Sequence, residues 1–156
     1  MTFNAAAVKA LFAAVTSQAQ TLGVFDGGVV AHEPKNAPGP GLSCAVWVQT
    51  IKPSQRASGQ ASVSGVVSLR ARIYSNMLAE PQDGIDPDLL AAMCRLMEAY
   101  SEGFTLGGIV RNVDIFGAEG EPLAAQAGYI QHDNRLFRVM ELTLAIVLSD
   151  MWTEAP

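Results

Sequence analysis

The sequence predicts an α+β fold, with a mainly antiparallel sheet of about 4–6 strands and two helices packed on one face. Three observations lead to this prediction: two segments with helical spacing of apolar residues, several with strand-like alternation, and short turns between most strands. The longest apolar run, Leu136 to Asp150, organises the rest. Every even-numbered residue from Met140 to Leu148 is apolar, whereas the odd-numbered residues are mixed. This pattern is typical of a strand buried on one face and partly buried on the other.

Two other structures for this run are less favoured. A helix could also bury so apolar a segment, but β-branched residues favour a strand, and the run contains Val139, Thr143, Ile146 and Val147. A membrane span needs roughly 20 apolar residues. Charged residues interrupt this run at Arg138, Glu141 and Asp150.

The composition indicates a single domain over residues 1–156 that hides part of its surface in an assembly. Only 16% of the residues are charged, against about 25% in typical soluble proteins. A plain monomer rich in alanine and glycine is the alternative. The net charge of −5 argues against binding of nucleic acid through its phosphates, and it suits a surface that DNA passes without adhering.

Cysteine usage and the N-terminal residues point to a cytoplasmic site of synthesis. Cys44 and Cys94 form no CxxC pair, so we expect buried free thiols rather than a zinc site or a redox motif. The N-terminal residues lack a basic segment followed by a clean apolar one, so no signal peptide is expected.

A first helix is predicted from about Asn4 to Leu22, because apolar residues recur there at helical spacing. Asn4 suits the N-cap, and Gly23 suits a left-handed C-terminal cap. The next segment holds three prolines and four glycines between Gly27 and Gly41. It leaves room for one short edge strand, near Val29 to His32.

Strands at Cys44–Ile51 and Val63–Ser75 are predicted to form a hairpin with a long mobile tip at Lys52 to Ser62. The second of these strands alternates cleanly. Its apolar residues face one way, and its other face carries Ser64, Ser68, Arg70, Arg72 and Tyr74.

A second helix is predicted with Asp86 as N-cap, Pro87 at the first helical position and Gly103 at its end. We expect its apolar face to contain Leu90, Met93, Cys94, Met97 and Tyr100. Further strands are predicted at Gly108–Phe116 and Leu123–Gln131, with a GAEGEP turn between them. A tight turn, His132-Asp133-Asn134, leads into the long apolar strand.

The sequence offers no recognisable catalytic or metal site, so we expect no enzyme and no cofactor. His32 and His132 lie on separate predicted loops without a known ligand spacing. Asp83, Asp86 and Asp88 are explained better as a turn residue, an N-cap and a first-turn charge than as a cation site. The chain has no phosphate-binding loop, no nucleophile elbow and no recognisable acid/base pair.

The candidate partner-interface residues are polar or aromatic and lie on the hairpin and at the C-terminus: Lys52, Gln55, Arg56, Arg70, Arg72 and Trp152. Arg70 and Arg72 could hold a partner's carboxylates, or form an internal cross-strand pair with Glu141 as one candidate. The tip containing Gln55 and Arg56 could order against a partner or stay a solvated loop. Trp152 is predicted beyond the last strand, either packed back on the fold or held for a neighbour.

Five segments together resemble the tail terminator proteins of long-tailed, non-contractile bacteriophages, especially those of actinobacterial hosts. They span nearly the whole chain after the first helix, and the pattern as a whole carries the resemblance. In order they are HEPKNAPGPG (His32–Gly41), WVQTIKPSQRASG (Trp47–Gly59), RIYSNMLAEPQDGIDPDLLAA (Arg72–Ala92), FTLGGIVRNVDIFG (Phe104–Gly117) and GYIQHDNRLFRVMELTLAIVLSDMW (Gly128–Trp152).

The resemblance implies an α+β subunit of a ring, with six-fold symmetry in this family, on the head-proximal end of the tail tube. Such a ring stops tube polymerisation and presents its other face to the head connector or stopper protein. The partners implied are further copies of the chain, the major tail tube protein and the connector, with no membrane. Genomic DNA passes through without sequence-specific binding. The implied location is the virion tail or neck, with the host cytoplasm during assembly. The alternatives are another neck or head–tail joining subunit and a small-molecule-binding α+β domain.

Overall fold

The computed structural model describes residues 2–54, 62–78, 81–103 and 105–154. It is an α+β fold, as predicted, with four longer β-strands, three of only two residues, and two α-helices on one sheet face. In chain order the elements are β1 (Thr2–Phe3), α1 (Ala5–Thr21), β2 (Val29–Val30), β3 (Ser43–Pro53), β4 (Ser62–Asn76), α2 (Ile85–Glu102), β5 (Asn112–Val113), β6 (Ala124–His132) and β7 (Arg135–Thr153).

The sheet is built around β7, the strand predicted to organise the fold. One side of β7 pairs with β4 along nearly its whole length, and the other side pairs with β6, β5 and β1 in turn. Beyond β4 lie β3 and then the short β2, which gives the path β1-β7-β4-β3-β2. All pairings are antiparallel except that of β2 with β3. The predicted hairpin of β3 and β4 is confirmed.

The main core lies between the helices and one face of the sheet. Leu142, Leu144 and Ile146 of β7 are completely buried there, as are Leu69, Ala71 and Ile73 of β4. The helices also contact each other, because the Tyr100 hydroxyl donates to the Val15 carbonyl oxygen at 2.7 Å. Neither helix within the described ranges combines the length and apolarity needed to cross a bilayer.

The ends of α1 are as predicted. The Asn4 side-chain oxygen accepts from the Ala7 amide at 3.1 Å, which satisfies one free amide of the first turn. Gly23 follows the helix with a φ of 68°, the left-handed conformation that favours glycine at this position.

The predicted start of α2 is wrong, and its predicted apolar face is right only at Met93 and Tyr100, which are buried. The helix begins at Ile85 after Gly84, so Asp86 lies inside the first turn and pairs with Arg138 instead of capping. The buried stripe is Leu89, Met93, Leu96 and Tyr100, whereas Leu90 and Cys94 are exposed and Met97 is half-buried. Leu89 and Leu90 are adjacent apolar residues, so either could begin the buried stripe. The stripe from Leu89 is the buried one because it contains more apolar residues at helical spacing than the stripe from Leu90 does.

The strand predicted at Gly108–Phe116 is also wrong in extent. Only Asn112–Val113 pairs with β7, because the chain then turns around Asp114. Its buried carboxylate accepts from the amides of Ala118 and Glu119, each at 2.9 Å. These hydrogen bonds hold the residues after Asp114 in a loop, and a strand could not make them.

Trp152 lies within β7 and not beyond the last strand. β7 continues to Thr153, and Trp152 pairs with both Phe3 of β1 and Val63 of β4. Its ring centroid is 5.3 Å from that of Phe3, and its side chain packs against the main core. Of the two alternatives for Trp152, packing back on the fold is therefore the one observed.

Candidate assembly surface

The sheet face turned away from the helices, here called the second face, carries most of the predicted interface residues that the structure describes. Residues 66, 68, 70, 72 and 74 of β4 point to it, because they alternate with the core residues of the same strand. Arg72 lies directly opposite Glu141 of β7 in the strand register. The Arg72 guanidinium donates to Glu141 Oε2 from Nε at 2.9 Å and from Nη2 at 2.7 Å. The cross-strand pair offered as one alternative is thus confirmed.

Aromatic rings enclose the Arg72 guanidinium. Its central carbon lies 4.9 Å from the ring centroid of Trp47 and 5.7 Å from that of Tyr74, and Nη1 donates to the Tyr74 hydroxyl at 3.1 Å. Burial alone lowers the pKa of Arg72, but hydrogen bonds to Tyr74 and Glu141 outweigh it and the pKa is raised. Arg72 is therefore a fixed cation that joins β3, β4 and β7.

Arg70 is bound less tightly than Arg72. Its Nη1 donates to the Thr143 hydroxyl at 2.8 Å, and its ion pairs with Glu141 and Glu121 are longer, at 3.5 and 3.8 Å. A fifth of the Arg70 side chain remains exposed. Whether either arginine also contacts a partner stays a prediction.

The loop between β5 and β6 crosses one end of the second face. The Glu119 carboxylate accepts from the Ser54 hydroxyl at 2.7 Å, and the Glu119 carbonyl oxygen accepts from Lys52 Nζ at 3.1 Å. The predicted interface residue Lys52 therefore binds this loop through its ammonium group. Gln55 and Arg56, with most of the predicted hairpin tip, lie outside the described residues.

The proline-rich segment before β3 covers the opposite end of the second face. Ala37 packs on a small buried cluster that includes Tyr74 and Phe137, and its amide donates to Asp133 Oδ2 at 2.7 Å. His132 Nε2 lies 3.1 Å from the Pro34 carbonyl oxygen, which adds a second link to the β6–β7 turn. Under this segment is a cavity of about 390 Å³. Ser43 lines it with a buried hydroxyl that has no hydrogen-bond partner among the described residues.

Exposed apolar side chains are the feature that sequence reasoning missed. Phe116 is 94% exposed and Tyr129 is 60% exposed, and Val48 and Ile51 are exposed along β3. Phe116 directly precedes the GAEGEP turn, and that position is a usable signal, because turns lie at the surface. Large exposed aromatic side chains are the residue type that most often anchors protein interfaces.

No cluster of three or more histidine, cysteine or acidic residues suited to a metal ion occurs in the part of the chain that the structure describes. The predicted aspartate group before α2 contributes Asp86 to a different contact. Its carboxylate accepts from Arg138 Nε at 2.9 Å, and the Arg138 guanidinium also lies over the Tyr129 ring at 4.4 Å. This arrangement ties the start of α2 to β6 and β7.

Comparison with known proteins shows likenesses among solved structures alone. No protein-family model matches the chain, and no curated protein matches it. Solved structures that resemble it include a chain described as "Virion of native gene transfer agent (GTA) particle". That chain is 15% identical, with a TM-score of 0.44, and the superposition covers 94% of this chain and 99% of that one.

Proposed function

We propose that this chain is a structural virion protein, the tail terminator of a long-tailed, non-contractile phage. In this proposal six copies form a ring on the head-proximal end of the tail tube. The ring stops addition of tube subunits and presents its other face to the connector or stopper protein. The observation that carries the proposal is the five-segment resemblance, which spans nearly the whole chain after the first helix.

The surface supports this proposal. A subunit that contacts neighbours on several sides needs exposed apolar anchors at several places, and Phe116, Leu78, Leu90 and Tyr129 are each more than half exposed. These four side chains lie on a loop, after β4, on α2 and on β6 respectively. A surface distributed in this way suits repeated contacts better than a single docking patch does.

The acidic balance suits a ring through which DNA passes. With a net charge of −5, the chain does not attract phosphates overall, so DNA would move through the opening without adhering. Among the described residues, the three arginines Arg70, Arg72 and Arg138 are held by carboxylates of the same chain.

We propose further that the segment from Lys52 to Ser62, with Gln55 and Arg56, docks on the tube. Deleting residues 55–60 should leave the melting temperature nearly unchanged, because the paired parts of β3 and β4 remain, and should weaken capping. Tails of normal length with full infectivity in the deletion mutant would contradict this role.

The rival within the same class is a neck or head–tail joining subunit that binds the head side. A phage lacking the chain distinguishes the two. Loss of a terminator should leave tubes longer than normal and unattached to heads, because nothing stops polymerisation. Loss of a neck subunit should leave tubes of normal length beside unjoined heads. Electron microscopy of lysates measures both outcomes, and tubes of normal length would overturn the terminator proposal.

A further inference from the structure

Within the part of the chain that the structure describes, the sheet has two edges at which one side of a strand pairs with no other strand. In β3, residues 46–51 pair with β4 on one side and with no other described strand, since β2 covers only Cys44 and Ala45. In β6, residues 124–131 pair with β7 alone among the described residues. On each outer side, alternate backbone amides and carbonyls point away from the sheet.

Protection against pairing is slight at both edges: β3 has a register shift between Val48 and Thr50 and ends in Lys52 and Pro53, and β6 is free of charge up to Gln131. Free edges in natural proteins normally carry lysine, proline or inward-pointing charges. Residues 46–51 read VWVQTI and residues 124–131 read AAQAGYIQ, without a charge or a proline in either. Val48 and Ile51 are 37% and 44% exposed, and Tyr129 is 60% exposed. Such edges favour addition of another strand.

The two edges suit each other. From the pairing directions, β3 and β4 are antiparallel, β4 and β7 are antiparallel, and β7 and β6 are antiparallel. β3 and β6 therefore run in opposite directions. If the sheets of two copies are continuous, β3 of one copy lies antiparallel to β6 of the other. The free part of β3 spans about 20 Å at roughly 3.4 Å per residue, and the nine residues of β6 are long enough to match it.

We propose that β3 of one copy pairs antiparallel with β6 of the next, so that the sheet continues from subunit to subunit around the ring. The strand that pairs with each edge comes from a second copy of the chain, because every copy carries both edges. A head-to-tail contact then gives backbone partners to β3 of one copy and β6 of the next. Such heterologous contacts close into a ring when the rotation allows. The inference names the interface of the proposed ring and rests on that proposal.

Side-chain size favours one register of this pairing. When residue 52 lies beside residue 124 of the neighbouring copy, Thr50 faces Gln126. Small side chains at positions 124, 125, 127 and 128 leave room for the Val48 and Ile51 side chains.

Cysteine cross-linking of the purified full chain tests the pairing. Cys94 is replaced by serine because it is exposed, and Cys44 stays because it is buried. In this background, Thr50→Cys and Gln126→Cys are made singly and together. With a short bis-maleimide, the double variant should give a ladder of cross-linked species that ends at the closed ring. Each single variant should remain uncross-linked, and a mixture of the two should give dimers only.

The controls give each result a clear meaning. Leu90→Cys, on the exposed side of α2, replaces Gln126→Cys as the matched control, and an equally strong ladder from it would overturn the inference. Dimers from Thr50→Cys alone would mean that two β3 edges pair symmetrically, which also overturns it. So would a double variant that stays uncross-linked both at about 1 mM, where a contact worth roughly 4 kcal/mol is half formed, and when bound to purified tail tubes.

Failure of this inference and failure of the proposed function give different results. Rings that assemble and cap tubes without the 50–126 cross-link would refute the edge pairing and leave the terminator role intact. A cross-linked ladder from a chain that neither caps tubes nor controls their length would refute the terminator role and leave the edge pairing intact.

Discussion

Arg72 shows how one residue joins three strands on the second face. Its guanidinium forms two hydrogen bonds to Glu141, a third to Tyr74, and a cation–π contact with Trp47. The alternation of β4 predicted that Arg72 would lie on the polar face, and Glu141 was one of two partners considered. Trp47 could not be assigned, because its position depends on how β3 registers with β4.

Removing the Glu141 carboxylate should destabilise the fold. We expect Glu141→Ala to lower the free energy of unfolding by about 2 kcal/mol, because it leaves a mostly buried guanidinium without its main acceptor. For a chain of this size the melting temperature should fall by about 4–8 °C. Thermal melts by circular dichroism measure this. Glu98→Ala removes an exposed carboxylate and should change stability by less than about 0.5 kcal/mol. Equal melting temperatures for the two variants would contradict the assigned role of the pair.

Cys44 should make the fold sensitive to alkaline pH. Burial raises the pKa of this thiol from 9.0 to about 12. The unfolded chain therefore loses this proton at a lower pH than the folded chain, so the contribution to stability is full below pH 9 and declines as the pH rises toward 12. Burial also raises the pKa of Tyr74 and Tyr100, which adds a decline of the same sign.

Comparing variants separates the contribution of Cys44 from those of the tyrosines. The urea midpoint of Cys44→Ala should be lower than wild type at neutral pH, because a cavity remains. It should then fall less steeply than wild type between about pH 8 and about pH 11. Cys94→Ala, at the exposed cysteine, is the matched control. Parallel pH profiles for Cys44→Ala and wild type would contradict the inferred effect of burial on the thiol.

β4 and β7 pack closely at Gly65 of β4, where there is no room for a side chain. A Cβ atom at Gly65 would overlap the Met151 sulfur and lie 3.3 Å from the Lys52 carbonyl oxygen. The strand register also shifts beside this residue, between Val63 and Gly65. Gly65 is therefore required by packing, since its φ lies outside the left-handed range.

Adding a methyl group at Gly65 should accordingly be costly. We expect Gly65→Ala to lower the free energy of unfolding by about 1–3 kcal/mol, because the Met151 side chain must leave its buried position. Gly39→Ala adds a methyl group where nothing lies within 4 Å, so it should be neutral or stabilise by up to about 1 kcal/mol. Chemical denaturation of both variants measures the difference, and a Gly65→Ala protein as stable as Gly39→Ala would refute this packing requirement.

Individual elements differed in how well the sequence predicted them. Strong alternation predicted β4 and β7 to within a few residues, because one face of each is buried and period-2 patterns report that directly. The predicted bounds of β6 differ from the observed ones by one residue at each end, although its residues are all exposed or half-buried. The α2 stripe was misassigned, since adjacent leucines at 89 and 90 permit two faces. The strand at 108–116 was overpredicted because no sequence pattern shows that the Asp114 carboxylate will bind amides four and five residues ahead.

For the whole molecule, the sequence predicted a sheet with two helices on one face, but it did not predict which strands lie at the edges of the sheet or which apolar side chains are exposed. Strand order is set by long-range pairing, so the positions of β3 and β6 at free edges became visible only with the topology. Residues 124–131 contain no charged residue, whereas free edges in natural proteins are normally charged. This uncharged strand was the available sign that β6 pairs with another chain. The exposed Phe116 likewise depends on the loop that Asp114 holds.

The mass of the chain in solution and on tail tubes is the measurement that decides whether it is a ring-forming terminator. Light scattering across a range of concentrations, with and without purified tubes, would determine it. We expect a hexamer, or a monomer that becomes a ring at one end of each tube. A monomer at every concentration that ignores tubes would contradict the terminator role.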